Sequence, residues 1–317
     1  MLPRESDVRI SIVVPHLGDV VAFEESLVSV LENRPSGAEV WVAHDGTYQD
    51  PFDLGDEVRF VTARSNNLAT LISAAAEVVA SKFVHVIGGG VRATHDWTRS
   101  AVECLEEGSV AIVAPVARRS VDGPITAAGW CDSSTEVVAP LGRGSKQIDR
   151  RQAASIRGAY LVASFWRRSE LRAACRAFAM EDAIAAEFAW SRLLTDSGWR
   201  CQVASDSVVL ACDESLCVSP SFHRGQTLRS LASEIDQQSG FGSVAIAALA
   251  NLVNPLRMLS PGRWAETLGQ VSSLLRETSV VRAIRYDQIE SPQDDATTLP
   301  MPMKRAAAEP MAMRRAA

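Results

Sequence analysis

The sequence predicts an α/β protein whose mainly parallel sheet is flanked by helices. Three observations lead to this fold class. Short apolar runs rich in valine and isoleucine recur along residues 8 to 116, segments with helical spacing of apolar residues separate several of them, and proline, glycine or polar turns end most of both. A chain that alternates strands with helices builds a parallel sheet, because each helix returns the chain to the start of the next strand.

The elements follow in order through the first part of the chain. Strands are predicted at residues 8–14, 39–43, 58–61, 83–87 and 109–116, and helices at 23–33, 68–80 and 97–107. Pro15 ends the first strand, because proline cannot donate a hydrogen bond within a sheet. Asp96 is expected to cap the third helix, since a carboxylate can accept hydrogen bonds from the free N–H groups of a first turn.

The second part of the chain is less regular. Residues 117–156 show no clear periodicity, which is typical of a functional loop or hairpin, and its basic residues, including Arg118 and Arg119, either meet phosphate or form a solvated surface. A strand is predicted at 158–164, helices at 170–178 and 181–197, and two short strands at 201–204 and 208–211. Gly198 is expected to end the longer helix.

The pattern predicts three regions. Residues 8–226 form the α/β domain, residues 227–286 form a helical extension with its main segments at 242–253 and 264–278, and residues 287–317 form a disordered tail rich in Pro, Asp, Ala and Met. The apolar stretch at 244–259 is interrupted by polar residues and is shorter than the roughly 20 apolar residues that span a bilayer. We therefore expect no transmembrane segment.

Composition narrows the class of protein. The 317 residues are 47% hydrophobic and 22% charged, and the net charge of −6 disfavours a nucleic-acid partner. Six cysteines, at positions 104, 131, 175, 201, 212 and 217, form no CxxC pair, which argues against a structural zinc site. The N-terminus has no apolar signal-peptide core. We expect a cytoplasmic protein with buried, reduced thiols.

A run of three glycines, Gly88-Gly89-Gly90, follows the predicted strand 83–87. In open α/β sheets, ligands bind just beyond such strand ends. Glycines there allow a ligand to approach the backbone closely, and their N–H groups can bind phosphate. The alternative is a tight turn with a structural role only.

The order of these pieces resembles the family 2 glycosyltransferases. The matching segments are the proline-ended strand at 10–15, His44-Asp45-Gly46-Thr47 in place of an Asp-Asp-Gly-Ser motif, His95-Asp96-Trp97, the segment 158–168, Met180-Glu181-Asp182, Arg192-Leu193 and Gly198-Trp199. The resemblance covers about residues 8–212. It implies a GT-A fold, a nucleotide-sugar donor, an acceptor such as a glycan or a lipid-linked sugar, and transfer to an acceptor hydroxyl with inversion.

The resemblance also implies roles for particular residues. Pro15 and Asp45 would lie at the nucleotide, Asp182 beside Glu181 would be the general base, and His223 would lie near the diphosphate. Each has a structural alternative. Asp45 could close an Asx-turn, Asp182 could cap a helix, and His223 could be an ordinary loop histidine.

The sequence departs from the family at the metal site. Gly88 and Gly90 stand where the family has the DxD carboxylates that bind Mn²⁺ or Mg²⁺, and His44 replaces the first Asp of the other motif. We therefore expect no metal at these glycines and assign the diphosphate charge to Arg118, Arg119, His223 or backbone amides.

Two classes of function follow. One is a glycosyltransferase that works without a DxD-bound metal. The other is a catalytically inactive GT-A module that binds a nucleotide-sugar, a glycan or a partner protein. Glycine at positions 88 and 90, in place of the DxD carboxylates, favours the inactive module. The retained Glu181-Asp182 pair favours the enzyme. A third interpretation docks the apolar faces of the C-terminal helices on a membrane surface or a partner.

Overall fold

The computed structural model describes residues 9–51, 53–132, 136–216, 218–235, 260–273 and 288–292. The first elements are β1 (Ile10–Pro15), α1 (Val20–Glu32), β2 (Glu39–His44), a 3₁₀ turn (Leu54–Asp56), β3 (Arg59–Thr62), α2 (Leu68–Val78), β4 (Phe83–Ile87), β5 (Arg92–Ala93), α3 (Arg99–Glu106) and β6 (Val110–Arg118). They are followed by β7 (Ile125–Ala127), β8 (Trp130–Cys131), β9 (Ala139–Pro140), α4 (Arg150–Ala154), β10 (Ala163–Arg167), α5 (Arg168–Ala177), α6 (Ala183–Asp196), β11 (Arg200–Leu210), α7 (Phe222–Ile235) and α8 (Pro261–Ser273).

The central sheet is mixed, with a parallel half. Its strand order is β3-β2-β1-β4-β10-β6-β11-β5, with β7 beside β6. The first four strands pair in parallel, whereas β10 runs antiparallel between β4 and β6. The short strands β8 and β9 pair separately. The α/β fold class predicted from the sequence is therefore confirmed.

The parallel strands end at a common edge of the sheet. Pro15 of β1 pairs with Ala43 of β2, and Val13 pairs with Val86 of β4. The residues that follow β1, β2 and β4 therefore emerge side by side. This edge, at the carboxyl ends of β1 to β4, brings Asp45 and Gly88 to the same side of the sheet, as predicted.

Buried strands and capped helices explain the first half of the fold. Every residue of β1 and β4 is buried. Asp19 caps α1 by accepting a hydrogen bond from the Ala22 N–H, and Asn67 caps α2 by accepting one from Thr70. These caps satisfy N–H groups that have no partner inside the helix, so each helix begins where its cap stands.

One polar side chain lies inside β4. His85 is fully buried, its ring stacks on Phe165 with centroids 3.6 Å apart, and its Nε2 accepts a hydrogen bond from Trp97 Nε1 at 3.0 Å. Its Nδ1 therefore carries the proton that it donates to the Ser164 carbonyl at 2.9 Å. Burial lowers the pKa of His85 to about 3, so this histidine stays neutral and ties β4 to β10 and to the start of α3.

The structure corrects three sequence predictions. The strand expected at 158–164 is wrong, because the strand is Ala163–Arg167 and the preceding Gly158 bonds to the Trp130 backbone instead. The two strands expected at 201–204 and 208–211 form the single strand β11, with a register shift between Ala204 and Val208. Asp96 caps no helix, since its own φ is +57° and α3 starts after Thr98.

The C-terminal helices pack closely where they are described. Gly225 of α7 and Gly269 of α8 face the partner helix so tightly that an added Cβ would lie 2.0 Å from a backbone oxygen. The helix α7 begins before the predicted boundary at residue 226. The predicted helix at 242–253 lies outside the described residues, as does most of the predicted tail. In the described part of the tail, the Glu290 carbonyl accepts a hydrogen bond from Trp199.

Two further expectations concern cysteines and the membrane. Among the described cysteines, Cys175 is buried and burial raises the pKa of the Cys201 thiol, whereas Cys104, Cys131 and Cys212 are half-buried, so the expectation of buried thiols holds in part. These five are all free thiols. Across the described ranges, every helix is too short or too polar to cross a membrane.

Candidate functional site

The nucleotide-side candidates lie at the sheet edge formed by β1 and β2. Pro15 is the last residue of β1. Asp45 directly follows β2, and its Oδ1 accepts hydrogen bonds from the Thr47 N–H at 3.0 Å and the Thr47 hydroxyl at 2.6 Å. These hydrogen bonds lower the pKa of Asp45. The Asx-turn is therefore present, and it holds an ionised carboxylate at the edge where a ligand would bind.

Sequence reasoning missed a histidine beside Asp45. His16 follows Pro15, is only 6% exposed, and packs against Phe23 and Tyr48 with ring centroids 5.0 Å away in both cases. Both of its ring nitrogens lack a hydrogen-bond partner within the described part of the chain. Burial lowers the pKa of His16, and nearby Asp45 partly opposes that change. A buried ring with free polar atoms is unusual, so His16 joins the candidate ligand-contacting residues.

In the segment Gly88–Gly90, called here the glycine turn, neighbouring side chains lie close to the first and the last glycine. A Cβ on Gly88 would lie 2.7 Å from the Val162 side chain, and one on Gly90 would lie 2.6 Å from Ser215 Oγ. Gly90 also has a φ of +80°, a conformation that favours glycine. An aspartate at either position would require the surroundings to move.

The backbone of the glycine turn is also committed. The Gly88 N–H donates to the Val162 carbonyl, the Gly90 N–H donates to the Ala22 carbonyl, and the Val91 N–H closes the turn on the Gly88 carbonyl. The two glycine N–H groups are therefore not free to bind phosphate. The structural alternative, a tight turn, describes this segment, and the hypothesis that the Gly88 and Gly90 amides bind phosphate is wrong.

The basic candidates differ in their surroundings. Arg118 donates to the Gly123 and Lys146 carbonyls and thereby holds the loop after β6. Arg119 forms an ion pair with Asp213 and lines a cavity of about 630 Å³ beside Gly90, together with Arg92, Glu25, Glu214 and four other residues. The two arginines of this cavity are thus matched by two carboxylates.

The described residues offer no cluster of metal-binding side chains at this edge. Among the described residues, no three His, Cys, Asp or Glu side chains are grouped so that they could hold a metal ion. Asp96 lies elsewhere, because it lines a cavity with Arg9 and Ile10 at the start of β1, the opposite edge of the sheet. The residues described at the glycine turn therefore do not fit a metal bound as the DxD motif binds it.

Asp182 lies at the start of α6 and uses both carboxylate oxygens. Its Oδ1 caps the helix by accepting hydrogen bonds from the Ile184 and Ala185 N–H groups at 2.9 and 3.2 Å. Its Oδ2 lies 2.7 Å from Nε2 of His223, at the start of α7. The two residues predicted separately from the sequence thus form one pair, which we call the Asp182–His223 dyad.

The dyad lines a cavity between α6 and α7. Its volume is about 210 Å³, and it is lined by Met180, Asp182, Ala185, His223, Gln226, Thr227 and Ser230. The last four lining residues recur at helical spacing, so they share one face of α7. This face carries hydroxyl, amide and imidazole groups, while most of the lining surface of the cavity is apolar.

The other member of the predicted catalytic pair points elsewhere. Glu181 is 65% exposed and lies 3.6 Å from Arg64, which follows β3. This contact attaches the start of α6 to the edge where β2 and β3 end, because the Ala63 N–H bonds to the His44 carbonyl. Glu181 therefore links the dyad to the Asp45 side of the site.

A buried carboxyl supports α6 from within. Glu187 is buried and accepts a hydrogen bond from the Leu161 N–H at 3.0 Å. Burial raises its pKa to about 7, although Arg224 favours the charged form. Arg224, also buried, lies 3.6 Å from Glu266 of α8. These groups join α6, α7, α8 and the loop before β10, and the sequence analysis did not identify them.

The mixed sheet, its strand order and the ligand edge define a class of fold. The chain has the GT-A fold of glycosyltransferases, as the resemblance implied, and comparison with solved structures supports this assignment. No protein-family model and no curated protein matches the sequence.

Two solved structures illustrate the likeness. GalNAc-T7, solved with UDP, GalNAc and Mn²⁺, is 14% identical with a TM-score of 0.53, over 83% of this chain and 55% of its own. The mannosyltransferase PcManGT from Pyrobaculum calidifontis, solved with GDP-Man and Mn²⁺, is 15% identical with a TM-score of 0.51, over 87% of this chain and 90% of its own. The chain thus spans about half the length of GalNAc-T7, and the likeness concerns the fold.

Proposed function

We propose that the protein is a glycosyltransferase, related to family 2, that transfers a sugar from a nucleotide-sugar to an acceptor hydroxyl with inversion. The observation that carries this proposal is the position of Asp45 and of the Asp182–His223 dyad on one side of the sheet, linked through Arg64 and Glu181. A donor site and an acceptor site need this proximity, because the reacting atoms must meet in line.

The donor would lie over the carboxyl ends of β1 and β2. The Asp45 carboxylate can accept a hydrogen bond from a base N–H, because its Oδ1 alone holds the Asx-turn. His16 offers one donor and one acceptor beside it, in the neutral state that burial favours. These groups suit a planar nucleobase that has both hydrogen-bond donors and acceptors along its edge.

The diphosphate charge would be met without a metal at the glycine turn. Arg92 and Arg119 line the cavity beside Gly90, and Arg119 also pairs with Asp213. One guanidinium group can donate two parallel hydrogen bonds to two phosphate oxygens. If the ion pair between Arg119 and Asp213 rearranged, the Arg119 guanidinium would be available for such a contact. We assign this role to the two arginines in preference to Arg118, whose contacts hold a loop.

The acceptor would enter the cavity at the dyad. The dyad and the few polar side chains of α7 offer hydrogen bonds to sugar hydroxyls, and the volume of about 210 Å³ suits one ring rather than a whole glycan. Of the two predicted catalytic carboxylates, Asp182 lines this cavity and Glu181 does not. We therefore give Asp182 a part in removing the acceptor proton and Glu181 a part in holding α6.

The inactive GT-A module is the second candidate. The filled and hydrogen-bonded glycine turn favours it, because the space that would hold a metal-binding side chain is occupied by Val162 and Ser215. Such a module would bind a nucleotide-sugar, a glycan or a partner without transferring anything. The two candidates share the donor edge and differ at the dyad.

Donor binding is the first test. A panel of UDP-, GDP-, CDP- and dTDP-sugars is titrated calorimetrically into the protein, with and without Mn²⁺ or Mg²⁺. We expect binding to at least one nucleotide-sugar, with an affinity that the metal changes little. Strong dependence on Mn²⁺ would contradict the metal-free site, and failure of the whole panel to bind would contradict the proposed donor.

A charge-neutral variant tests whether Asp45 contacts the nucleobase of the donor. Asp45→Asn keeps the oxygen that closes the Asx-turn but loses the negative charge, so it should weaken the best donor about 10-fold or more, as a lost charged hydrogen bond would. Asp53→Asn is the matched control, because Asp53 is exposed in the nearby loop and its φ of +53° suits asparagine. Equal affinities of the two variants would remove Asp45 from the site.

Release of nucleoside diphosphate then separates enzyme from module. The protein is incubated with the bound donor and a panel of mono- and oligosaccharide acceptors, and the released nucleotide is measured. Acceptor-dependent release supports the transferase. Tight donor binding without release for any acceptor supports the module.

A further inference from the structure

We infer that the group accepting the acceptor's proton is the His223 imidazole, and that Asp182 is a positioning residue that orients this ring. The inference rests on the proposed transferase function and specifies the chemistry at its cavity. It differs from the role that the resemblance implies, in which Asp182 takes the proton directly.

The hydrogen bonds of Asp182 support this division of roles. Its Oδ1 receives two backbone N–H groups and its Oδ2 receives Nε2 of His223 at 2.7 Å. Both oxygens of this carboxylate are therefore already occupied by hydrogen-bond donors of the protein. The side chain of Asp182 is also only 24% exposed, whereas that of His223 is 63% exposed.

The same hydrogen bond fixes which ring nitrogen of His223 carries the proton. An ionised carboxylate only accepts hydrogen bonds, so Nε2 must carry the proton that it donates to Asp182. In the neutral ring, Nδ1 is then the nitrogen with a free lone pair. A carboxylate that holds one imidazole nitrogen also stabilises the imidazolium formed when the other accepts a proton, as in other carboxylate–histidine pairs.

The surroundings leave the pair to act together. Among the described residues that line the cavity, Asp182 and His223 are the titratable side chains. Next to His223 on α7, Arg224 turns away, is buried and pairs with Glu266 of α8. Glu187 of α6 is buried against the Leu161 N–H. These ionisable groups of α6, α7 and α8 have partners of their own.

The proposed step transfers one proton and one glycosyl group. The acceptor hydroxyl oxygen forms a bond to the anomeric carbon as its proton moves to Nδ1 of His223. The bond between the anomeric carbon and the phosphate oxygen breaks, and the nucleoside diphosphate leaves with the electron pair. The imidazolium, held by Asp182, later releases its proton to water.

The first test measures the ring state without substrate. Histidine ring ¹⁵N shifts of the full chain are recorded for the unaltered protein and for Asp182→Asn. Asparagine keeps the cap of α6, because Asn and Asp are about equally good N-caps, but it removes the charge. We expect His223 in the Nε2–H form, with that preference lost in the variant. A His223 ring in the Nδ1–H form, or one unaffected by the variant, would overturn the inference.

The second test measures transfer with the donor and acceptor found above. Asp182→Asn and His223→Ala should each lower kcat by about 10²–10⁴-fold with donor affinity kept, since the first removes the carboxylate that orients the base and the second removes the base itself. Added imidazole should restore part of the activity of His223→Ala but not that of Asp182→Asn. His95→Ala is the matched control, because His95 is exposed near the opposite edge of the sheet.

The outcomes separate the inference from the proposed function. Full activity of His223→Ala, or no rescue by imidazole, would overturn the role of His223 while the transferase stands. The expected ring state without transfer from any bound donor would overturn the transferase, and the proton-accepting role with it. Loss of activity in both variants with rescue specific to His223→Ala supports both.

Discussion

The glycine turn after β4 and the start of α6 are both places where the resemblance predicts acidic functional residues. At the glycine turn the acids are missing, and neighbouring groups fill the space, since the Val162 side chain would lie 2.7 Å from a Cβ on Gly88. At the start of α6 the acid is present, and a cavity remains beside it. Packing therefore leaves no room for a side chain at Gly88, whereas the carboxylate of Asp182 borders an open cavity.

This difference shows that the position of Gly88 has no free space for a metal-binding side chain. The neighbours of Gly88 are so closely packed that even one added methyl group would overlap with them. A single substitution back to aspartate would therefore meet both a steric overlap and a buried charge. The two places can be compared by changing each of them and measuring stability.

The largest effect is expected for Gly88→Asp. Overpacking costs about 1–3 kcal/mol and an unpaired buried carboxylate adds several kcal/mol, so the variant should lose most of its stability or fail to fold. Gly88→Ala should lose about 1–3 kcal/mol from the overlap alone. Denaturant unfolding at pH 7 measures both.

A neighbouring glycine provides the control. A Cβ on Gly89 would meet Ala22 at 3.5 Å, an ordinary contact, so Gly89→Ala should change the free energy of unfolding much less than Gly88→Ala. Combining Gly88→Ala with Val162→Ala should recover part of the loss. Similar stabilities of the two single alanine variants would mean that the glycine turn is open, and the comparison would fail.

The next effect is a pH dependence inside α6. The pKa of Glu187 is raised by burial from 4.5 to about 7, so the folded state binds a proton that the unfolded state releases in this range. Its contribution to stability is fully present below about pH 4.5 and is lost as the pH rises through 7, a loss on the order of 1–3 kcal/mol. Denaturant unfolding from pH 4.5 to 8 measures it.

Glu187→Gln isolates this contribution. Glutamine can accept the same hydrogen bond from the Leu161 N–H and does not ionise, so the unaltered protein should lose stability relative to the variant as the pH rises. Parallel stability curves of the two proteins would show that Arg224 keeps Glu187 charged in the folded state. The start of α6 would then be supported by an ion pair rather than by a neutral acid.

The smallest effect concerns the cap of α6. Asp182→Ala removes the oxygen that accepts the Ile184 and Ala185 N–H groups and should cost about 1 kcal/mol, while Asp182→Asn should cost only a few tenths. Thermal unfolding of the two variants measures the difference. If Asp182→Asn is as destabilised as Asp182→Ala, the charge and its contact with His223, rather than the cap, hold the helix.

The sequence predicted the elements whose signals are local. The strands β1, β2 and β4 lie within a residue or two of their predicted positions, because apolar runs and the stops at Pro15 and the glycine turn mark them directly. The strand at 158–164 was misplaced, since an apolar run does not show where its backbone finds a partner. In the fold, Gly158 bonds to Trp130 and the ladder starts only at Ala163.

The sequence singled out candidate residues but not the contacts between them. Asp45, Asp182 and His223 were identified singly, yet the dyad joins residues 41 positions apart, and no local pattern encodes that contact. The position of His16 could have identified it, because a polar ring directly after a strand that ends at the ligand edge is a candidate ligand contact. The Glu187 carboxyl gave none, since a glutamate on a helix is usually exposed.

The double use of Asp182 has a consequence for the history of this chain. A lineage that stopped transferring sugars would still be selected for a good cap at this position, so Asp182 could persist in a descendant with no activity. Serine, threonine and asparagine also cap helices well, whereas an imidazole partner favours a carboxylate. Relatives that keep both Asp182 and His223 would be expected to be active transferases. Relatives with another residue at position 223 and a different capping residue at position 182 would be expected to be inactive.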